Sequence, residues 1–256
     1  MRRLEYDSKL YLQFNLLNRP DILHFVSTKK GWDERVKCRF TGDSPTSYQS
    51  FRKELARVFG LETTQLVFPR QVHSSTVAVI DQPMRSADIP ETDALITNQP
   101  GLCLCVQTAD CVPILLFDPV NKVIASVHAG WRGTVNKILA KTIFTMQQEF
   151  DTQPENLIAG IGPSIHLHAY EVGQEVILPV RENFTNHRHL LKPSSTKNKA
   201  YFDLWEANKT ILAETGLEEE HIEVMGICSY SHESLFYSAR RDGIHTGRMV
   251  SGIMLK

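Results

Sequence analysis

The stretch Val112-Pro113-Ile114-Leu115-Leu116-Phe117-Asp118-Pro119-Val120-Asn121-Lys122-Val123-Ile124-Ala125-Ser126-Val127 decides the fold. Two apolar runs of strand length flank a turn rich in Asp, Pro and Asn. Folded at that turn, the runs pair antiparallel, and opposed residue numbers sum to about 240 or 241. His128 then faces Val112 or Pro113. Cys111 falls at the same end of the hairpin, with cross-strand neighbours roughly 5 Å apart. A turn thus brings together a thiol and an imidazole that are far apart in sequence, provided no bulge or slip shifts the register.

Outward from the hairpin, residues 94–97 and 102–107 also read as strands. A helix is predicted over 134–150, with Val135, Ile138, Leu139, Thr142, Ile143 and Met146 as its buried stripe and Thr134 as its N-cap. A second helix is predicted over 46–59, from the face made by Tyr48, Phe51, Leu55, Val58 and Phe59, and is stopped by Gly60. Asp203 and Glu206 form a capping-box pattern ahead of a third, which Gly216 ends. Residues 21–45 read as strands and loops, 65–72 and 76–80 as β-rich runs, 151–180 as loops with a short strand, and 183–200 as a polar surface excursion. The tail 222–256 mixes short strands with a basic turn. Strands lie in adjacent runs rather than in βαβ alternation. That predicts an α+β fold with mixed, largely antiparallel sheets, as one domain over 1–256 with 1–20 as an N-terminal extension.

The 256 residues are 42% hydrophobic, enough for a substantial core. A net charge of −1 gives no electrostatic footprint for nucleic acid or a membrane surface. Met1-Arg2-Arg3 is followed by Glu5, Asp7, Lys9 and Gln13 instead of an apolar segment, and the longest clean apolar run, 112–117, is too short to span a bilayer. The expectation is a soluble, cytoplasmic protein. Five cysteines (Cys38, Cys103, Cys105, Cys111 and Cys228) are an odd number without repeating spacing, which fits a reducing compartment better than a disulfide framework. Oligomeric state is not legible.

The chemistry gathers at the hairpin's end. A thiolate beside a neutral imidazole is a natural soft ligand pair for zinc, and a catalytic zinc takes three protein ligands with one open position. His73, at a strand end in Gln71-Val72-His73, is the best third candidate. A lone histidine between strands is more often structural, and a cysteine before an apolar strand is by default a small hydrophobe. Cys103 and Cys105 share one strand face and read as packing. His128 is followed by Ala129-Gly130-Trp131-Arg132-Gly133 and then a helix, a loop good at presenting groups. Its free N–H groups and Arg132 suit an anion, without the spacing or Lys of a Walker motif. His166/His168 and His187/His189 could each put two imidazoles on one strand face; the second pair is in a polar stretch, and the first stays unassigned. Arg240-Arg241-Asp242-Gly243 reads equally as a surface turn or a second anion contact.

At these residues the chain resembles a known family. In order, Gln71-Val72-His73, Thr108-Ala109-Asp110-Cys111-Val112-Pro113, His128-Ala129-Gly130-Trp131-Arg132-Gly133, Gly162-Pro163-Ser164-Ile165, Tyr170-Glu171-Val172-Gly173, and Arg240-Arg241-Asp242-Gly243 with Thr246-Gly247-Arg248 resemble the YfiH-like family, also called the laccase-domain or multicopper polyphenol oxidase family. The resemblance runs from about His24 to the C-terminus. It implies an α/β/β/α layered fold, a zinc site whose ligands match His73, Cys111 and His128, and an enzyme that phosphorolyses adenosine, inosine and methylthioadenosine and deaminates adenosine. Older descriptions of the family name polyphenol oxidation, and some bacterial members are linked to peptidoglycan editing. Two departures bear on substrate preference: Ser74 stands where the family often has Gly, and 38–47 replaces a usual Asn-rich stretch.

Phosphorolysis needs phosphate beside the anomeric carbon. The expectation is that Arg132 and the N–H groups near Gly133 and Thr134 hold it, that Arg241 and Glu171 add substrate contacts, and that Asp110 or Glu171 carries protons. Cys111, His73, His128 and Arg132 are the expected catalytic residues, small molecules the partners, and zinc the cofactor ahead of copper. The runner-up is a metal-free hydrolase of a cell-wall amide, with Cys111 as nucleophile and His128 or His73 as base. A copper oxidase is disfavoured, because the chain shows no His-Cys-His segment with a nearby axial Met and its scattered histidines do not suggest a trinuclear cluster. A binding protein would close the zinc site with a fourth ligand such as His166 or His168.

Overall fold

The fold is described from a computed structural model, which covers residues 1–32, 36–42, 44–85 and 88–256; part of the 21–45 reading lies outside the described residues. The central hairpin forms as the turn chemistry dictates. Strand β8 (Val112–Asp118) pairs antiparallel with β9 (Val123–Ala129), and Pro113 stands opposite His128, a register sum of 241. Asp118 closes the turn by accepting the Val120 and Asn121 N–H groups at 2.9 and 3.1 Å.

Around this hairpin a six-stranded sheet runs β14 (Ile222–Val224), β10 (Ile158–Ile161), β8, β9, β6 (Ala94–Thr97), β5 (Val77–Val79). A second six-stranded sheet runs β1 (Arg2–Tyr6), β2 (Lys9–Gln13), β3 (Ile22–Ser27), β15 (Met249–Leu255), β7 (Cys103–Thr108), β4 (Leu66–Val67). Period-2 alternation in these strands gives each sheet two apolar faces. The inner faces meet through Leu12, Leu104 and Ile253 on one side and Leu95, Leu115 and Ile124 on the other. The outer face of the hairpin sheet buries Ile114, Leu116 and Val127 under three helices: α3 (Ile138–Phe150), α4 (Gln174–Asn183) and α5 (Leu204–Glu214). The outer face of the second sheet, with Cys103, Cys105 and Val250, is covered by α1 (Gln49–Phe59) through Phe51 and Leu55. The order of layers is α/β/β/α, with a small sheet β11 (Glu171–Val172), β13 (Ala200–Phe202), β12 (Leu191–Pro193) at the side.

Several expectations change. Residues 1–20 supply β1 and β2 rather than an extension, because Tyr11, Leu12 and Phe14 are fully or almost fully buried in the sandwich. The run 65–72 pairs only at β4. The helix predicted over 134–150 is two: α2 (Trp131–Val135) and α3, broken at Lys137, whose φ is 58°. Thr134 is therefore no N-cap. It lies inside α2, fully buried, with its N–H donated to the Gly130 carbonyl at 2.8 Å. Gly130, in extended conformation, takes the cap position. Residues 151–200 also hold more structure than predicted, since α4 carries an internal Pro179 that masks its helical pattern. No helix among the described residues is long and apolar enough to cross a membrane.

One core histidine gives a pH-dependent stability. His24 is 1% exposed, and its Nε2 accepts the Phe14 N–H at 2.9 Å, so the ring is neutral. Burial pushes its pKa down to about 4 from 6.5. The unfolded chain then binds the proton more readily, so this stabilisation is complete above pH 6.5 and is lost as pH falls toward 4. Chemical denaturation of wild type and His24→Gln should show their stability difference narrowing by about 3 kcal/mol across that window. A constant difference would remove His24 as the cause.

Candidate metal centre and substrate cleft

Three elements deliver three ligands. Cys111 sits between β7 and β8, His128 is in β9 opposite Pro113, and His73 lies in the turn that precedes β5. His73 Nε2 is 3.7 Å from Cys111 Sγ, and the ligand atoms of His73, Cys111 and His128 all lie within 4.8 Å of one another. A tetrahedral zinc with ordinary bond lengths separates N and S donors by about 3.6 Å, so the spacing fits.

The residue that organises this centre, and that the sequence reading missed, is Asp93. Its carboxylate, fully buried, accepts from His128 Nδ1 at 2.7 Å, leaving Nε2 to face the other ligands. The same carboxylate accepts the backbone N–H groups of Val72, His73 and Ser74 at 3.2, 3.1 and 2.7 Å. Those bonds hold His73 in the left-handed region, at φ 61°. Ser74 adds its hydroxyl to the carboxylate at 2.8 Å, so the departure from Gly at this position strengthens the same knot. Burial works against the charge on Asp93, but the His128 and Ser74 hydrogen bonds outweigh it and hold the pKa at about 2. Burial likewise opposes ionisation of Cys111 and His128; their mutual attraction wins, lowering the thiol and raising the imidazole.

Gly130 is required for space. A Cβ there would stand 2.9 Å from His73 Cδ2 and 3.1 Å from Cys111 Sγ. The ligands are thus packed against a bare backbone at the start of α2.

The centre opens on a cleft of about 520 Å³. Trp131 and Tyr170 give it aromatic walls, and Arg240 and Arg248 give it positive charge. Arg240 donates to the Glu171 carbonyl at 2.8 Å and lies 5.2 Å from the Tyr170 ring centroid. Burial pushes the Tyr170 hydroxyl up, so it stays protonated.

Other predicted site residues fall elsewhere. Arg132 is exposed and stacks on the Trp131 ring at 4.3 Å. Gly133 is buried beneath the Ser74 carbonyl, and the Thr134 hydroxyl accepts from Asn208 at 3.2 Å; neither faces the cleft, because α2 begins three residues before the predicted cap. Arg241 is spent on the Ser229, Tyr230 and Phe236 carbonyls and on Asp242, so the cleft arginine is its neighbour. The Glu171 carboxylate is tied to Ser194 and Lys199 at 2.6 and 2.9 Å and is not among the residues that line the cleft. Asp110 lines the cleft, and its carboxylate accepts from the Ser229 and Ser238 hydroxyls and from the Arg240 N–H. His166 packs against Trp205 and His168 and is outside the ligand cluster, so among the described residues the centre has three ligands and an open side.

Residues 31–256 match the model of the multi-copper polyphenol oxidoreductase laccase family. The chain belongs to this family. It is 37% identical to a protein named purine nucleoside phosphorylase from Bacteroides thetaiotaomicron, with 97% of each chain covered. It is also 37% identical to one named adenosine deaminase RL5 from an unknown prokaryotic organism, with 86% of each covered. The crystal structure of the hypothetical protein YfiH from Bacillus licheniformis superposes with a TM-score of 0.90 at 28% identity, covering 99% of this chain and 98% of that one.

Two substitutions test the centre. Asp93→Asn should weaken metal binding, read with added zinc in a chelator competition, about 10–100-fold, because one amide hydrogen now opposes the N–H donors and the imidazole loses its orienting charge. Gly130→Ala should weaken it about tenfold or more with little change in Tm, since the atoms nearest the added methyl belong to the His73 and Cys111 side chains. Unchanged zinc affinity in either variant would contradict this assembly.

Proposed function

We propose that the chain is a zinc-dependent purine nucleoside enzyme that phosphorolyses adenosine, inosine and methylthioadenosine and also deaminates adenosine. The observation that carries the reading is a soft three-ligand cluster at the base of a nucleoside-sized cleft that also holds arginines and aromatic rings. The names of the relatives point to the same two reactions. His73, Cys111 and His128 would hold the ion, which supplies Lewis acidity at the reacting centre. Asp93 keeps the His128 tautomer fixed and the His73 turn closed. Trp131 and Tyr170 offer faces for a purine or ribose, and the protonated Tyr170 hydroxyl is available as a donor.

Arg240 is the arm that holds phosphate beside the sugar, with the exposed Arg132 as an outer contact. A carbonyl and an aromatic ring already orient Arg240, so little of its freedom is left to lose on binding. A cytoplasmic setting belongs to the same proposal, in keeping with five free cysteines.

A second reading has one specific observation in its favour. Asp93, His128 and Cys111 stand in line as an acid, an imidazole and an activated thiol, the order of a cysteine hydrolase. Zinc that survives dialysis supports the first reading. Rapid alkylation of Cys111 in an active, metal-free protein supports the second. Copper oxidase chemistry has less to stand on. The only other donor cluster among the described residues is Glu218, Glu220 and His221, which is largely exposed and mostly carboxylate.

Products decide the function. Incubated with adenosine, inosine or methylthioadenosine, the protein should release free base only when phosphate is present, and ammonia from adenosine without it. Arg240→Ala should raise KM for phosphate about tenfold while changing deamination much less, the loss expected for one charge-assisted hydrogen bond. Equal loss of both activities would reject that division, and no turnover of any nucleoside would reject the proposal.

A further inference from the structure

Asp110 lines the cleft with three hydrogen bonds to its carboxylate, and metal chemistry alone gives it no task. It precedes the ligand Cys111 and lies between β7 and β8 with φ 89°, a conformation a non-glycine residue adopts at a cost. It is 8% exposed. One carboxylate oxygen accepts the Ser229 hydroxyl at 2.6 Å. The other accepts the Ser238 hydroxyl at 3.0 Å and the Arg240 backbone N–H at 2.7 Å. Ser238 also caps α6 (Ala239–Asp242), its hydroxyl accepting the Arg241 N–H at 3.2 Å. The Asp110 carbonyl accepts the Ile165 N–H at 2.9 Å.

These bonds cross 119 to 130 residues of sequence and join the metal-ligand turn to the C-terminal segment. Among the described residues, the Asp110 carboxylate is the anchor of the Arg240 backbone N–H, and the Arg240 side chain lines the cleft from that fixed point. We infer that Asp110 is a positioning residue: its carboxylate fixes Ser229, Ser238 and the Arg240 backbone so that the Arg240 guanidinium is held over the cleft to receive an oxyanion. The inference rests on the proposed phosphate-using reaction for its biological meaning, but its physical content is anion binding.

The chemistry separates positioning from proton transfer. Asparagine at 110 keeps an oxygen for Ser238 and the Arg240 N–H and turns an amide hydrogen toward Ser229, whose hydroxyl rotates to accept. It also tolerates positive φ. Alanine keeps none of the three bonds. The test is the Kd of inorganic phosphate, by calorimetry on the zinc-loaded protein, for wild type, Asp110→Asn, Asp110→Ala, Arg240→Ala and the Asp110→Ala/Arg240→Ala pair.

Asp110→Ala should weaken phosphate about tenfold or more, Asp110→Asn by less than about threefold, and the double variant no more than Arg240→Ala alone. Should Asp110→Ala fail to fold, Ser229→Ala/Ser238→Ala removes the same two hydroxyl links with Asp110 intact and should weaken phosphate in the same direction. The kcat–pH profile of deamination by Asp110→Asn should match wild type; a lost limb would make Asp110 a proton carrier and overturn the inference. So would unchanged phosphate affinity in the alanine variants, additive losses in the double variant, or no phosphate binding by wild type. Phosphate binding with the expected losses but no nucleoside turnover would instead sink the proposed function and leave this inference standing.

Discussion

The Asp93 carboxylate is the point from which the centre hangs. It is fully buried, it accepts from one ligand's ring nitrogen, and it closes the turn that carries a second ligand. A buried charge is costly unless its lone pairs are filled, and here backbone N–H groups, a serine hydroxyl and an imidazole fill them. The consequence is geometric. His73 is on an exposed turn and His128 in a buried strand, yet both point at Cys111 because one acid holds them together. Gly130 completes the arrangement from the other side by leaving room where a methyl group would intrude.

The sandwich makes this economical. The ligand-bearing ends of β7, β8 and β9 meet at one end of the two packed sheets, and the C-terminal segment returns there before entering β15. Distant parts of the chain therefore reach one cleft through strand ends: 71–73 before β5, 107–111 from the end of β7, 128–131 from the end of β9, and 239–248 before β15. Apart from His128 in β9, the site residues are on connections between elements, while the strands beneath them are packed on both faces.

What could be read from the sequence follows from how local the determinant was. The β8–β9 register was legible because a tight Asp-Pro turn fixes it, and that register put Cys111 beside His128. The Asp203 cap and the Gly60 stop were legible for the same reason. Asp93 was not. It stands opposite His128 through the pairing of β6 with β9, strands separated by two others in sequence, and no short turn sets that register. The start of α2 was misplaced because Gly130 caps it through backbone alone, and the break at Lys137 leaves an apolar stripe that looks continuous. Choosing between Arg240 and Arg241 depends on the single turn of α6 and its Ser238 cap, which no periodicity encodes.

In the proposed centre two imidazoles and one thiolate share a single zinc ion with a coordination position to spare. X-ray absorption at the zinc edge of the purified protein tests it directly. The expected shell is one sulfur at about 2.3 Å with two imidazole nitrogens and one further light atom near 2.0 Å, all lost together in Cys111→Ala. A shell with no sulfur, with two or more sulfurs, or unchanged in Cys111→Ala would contradict it.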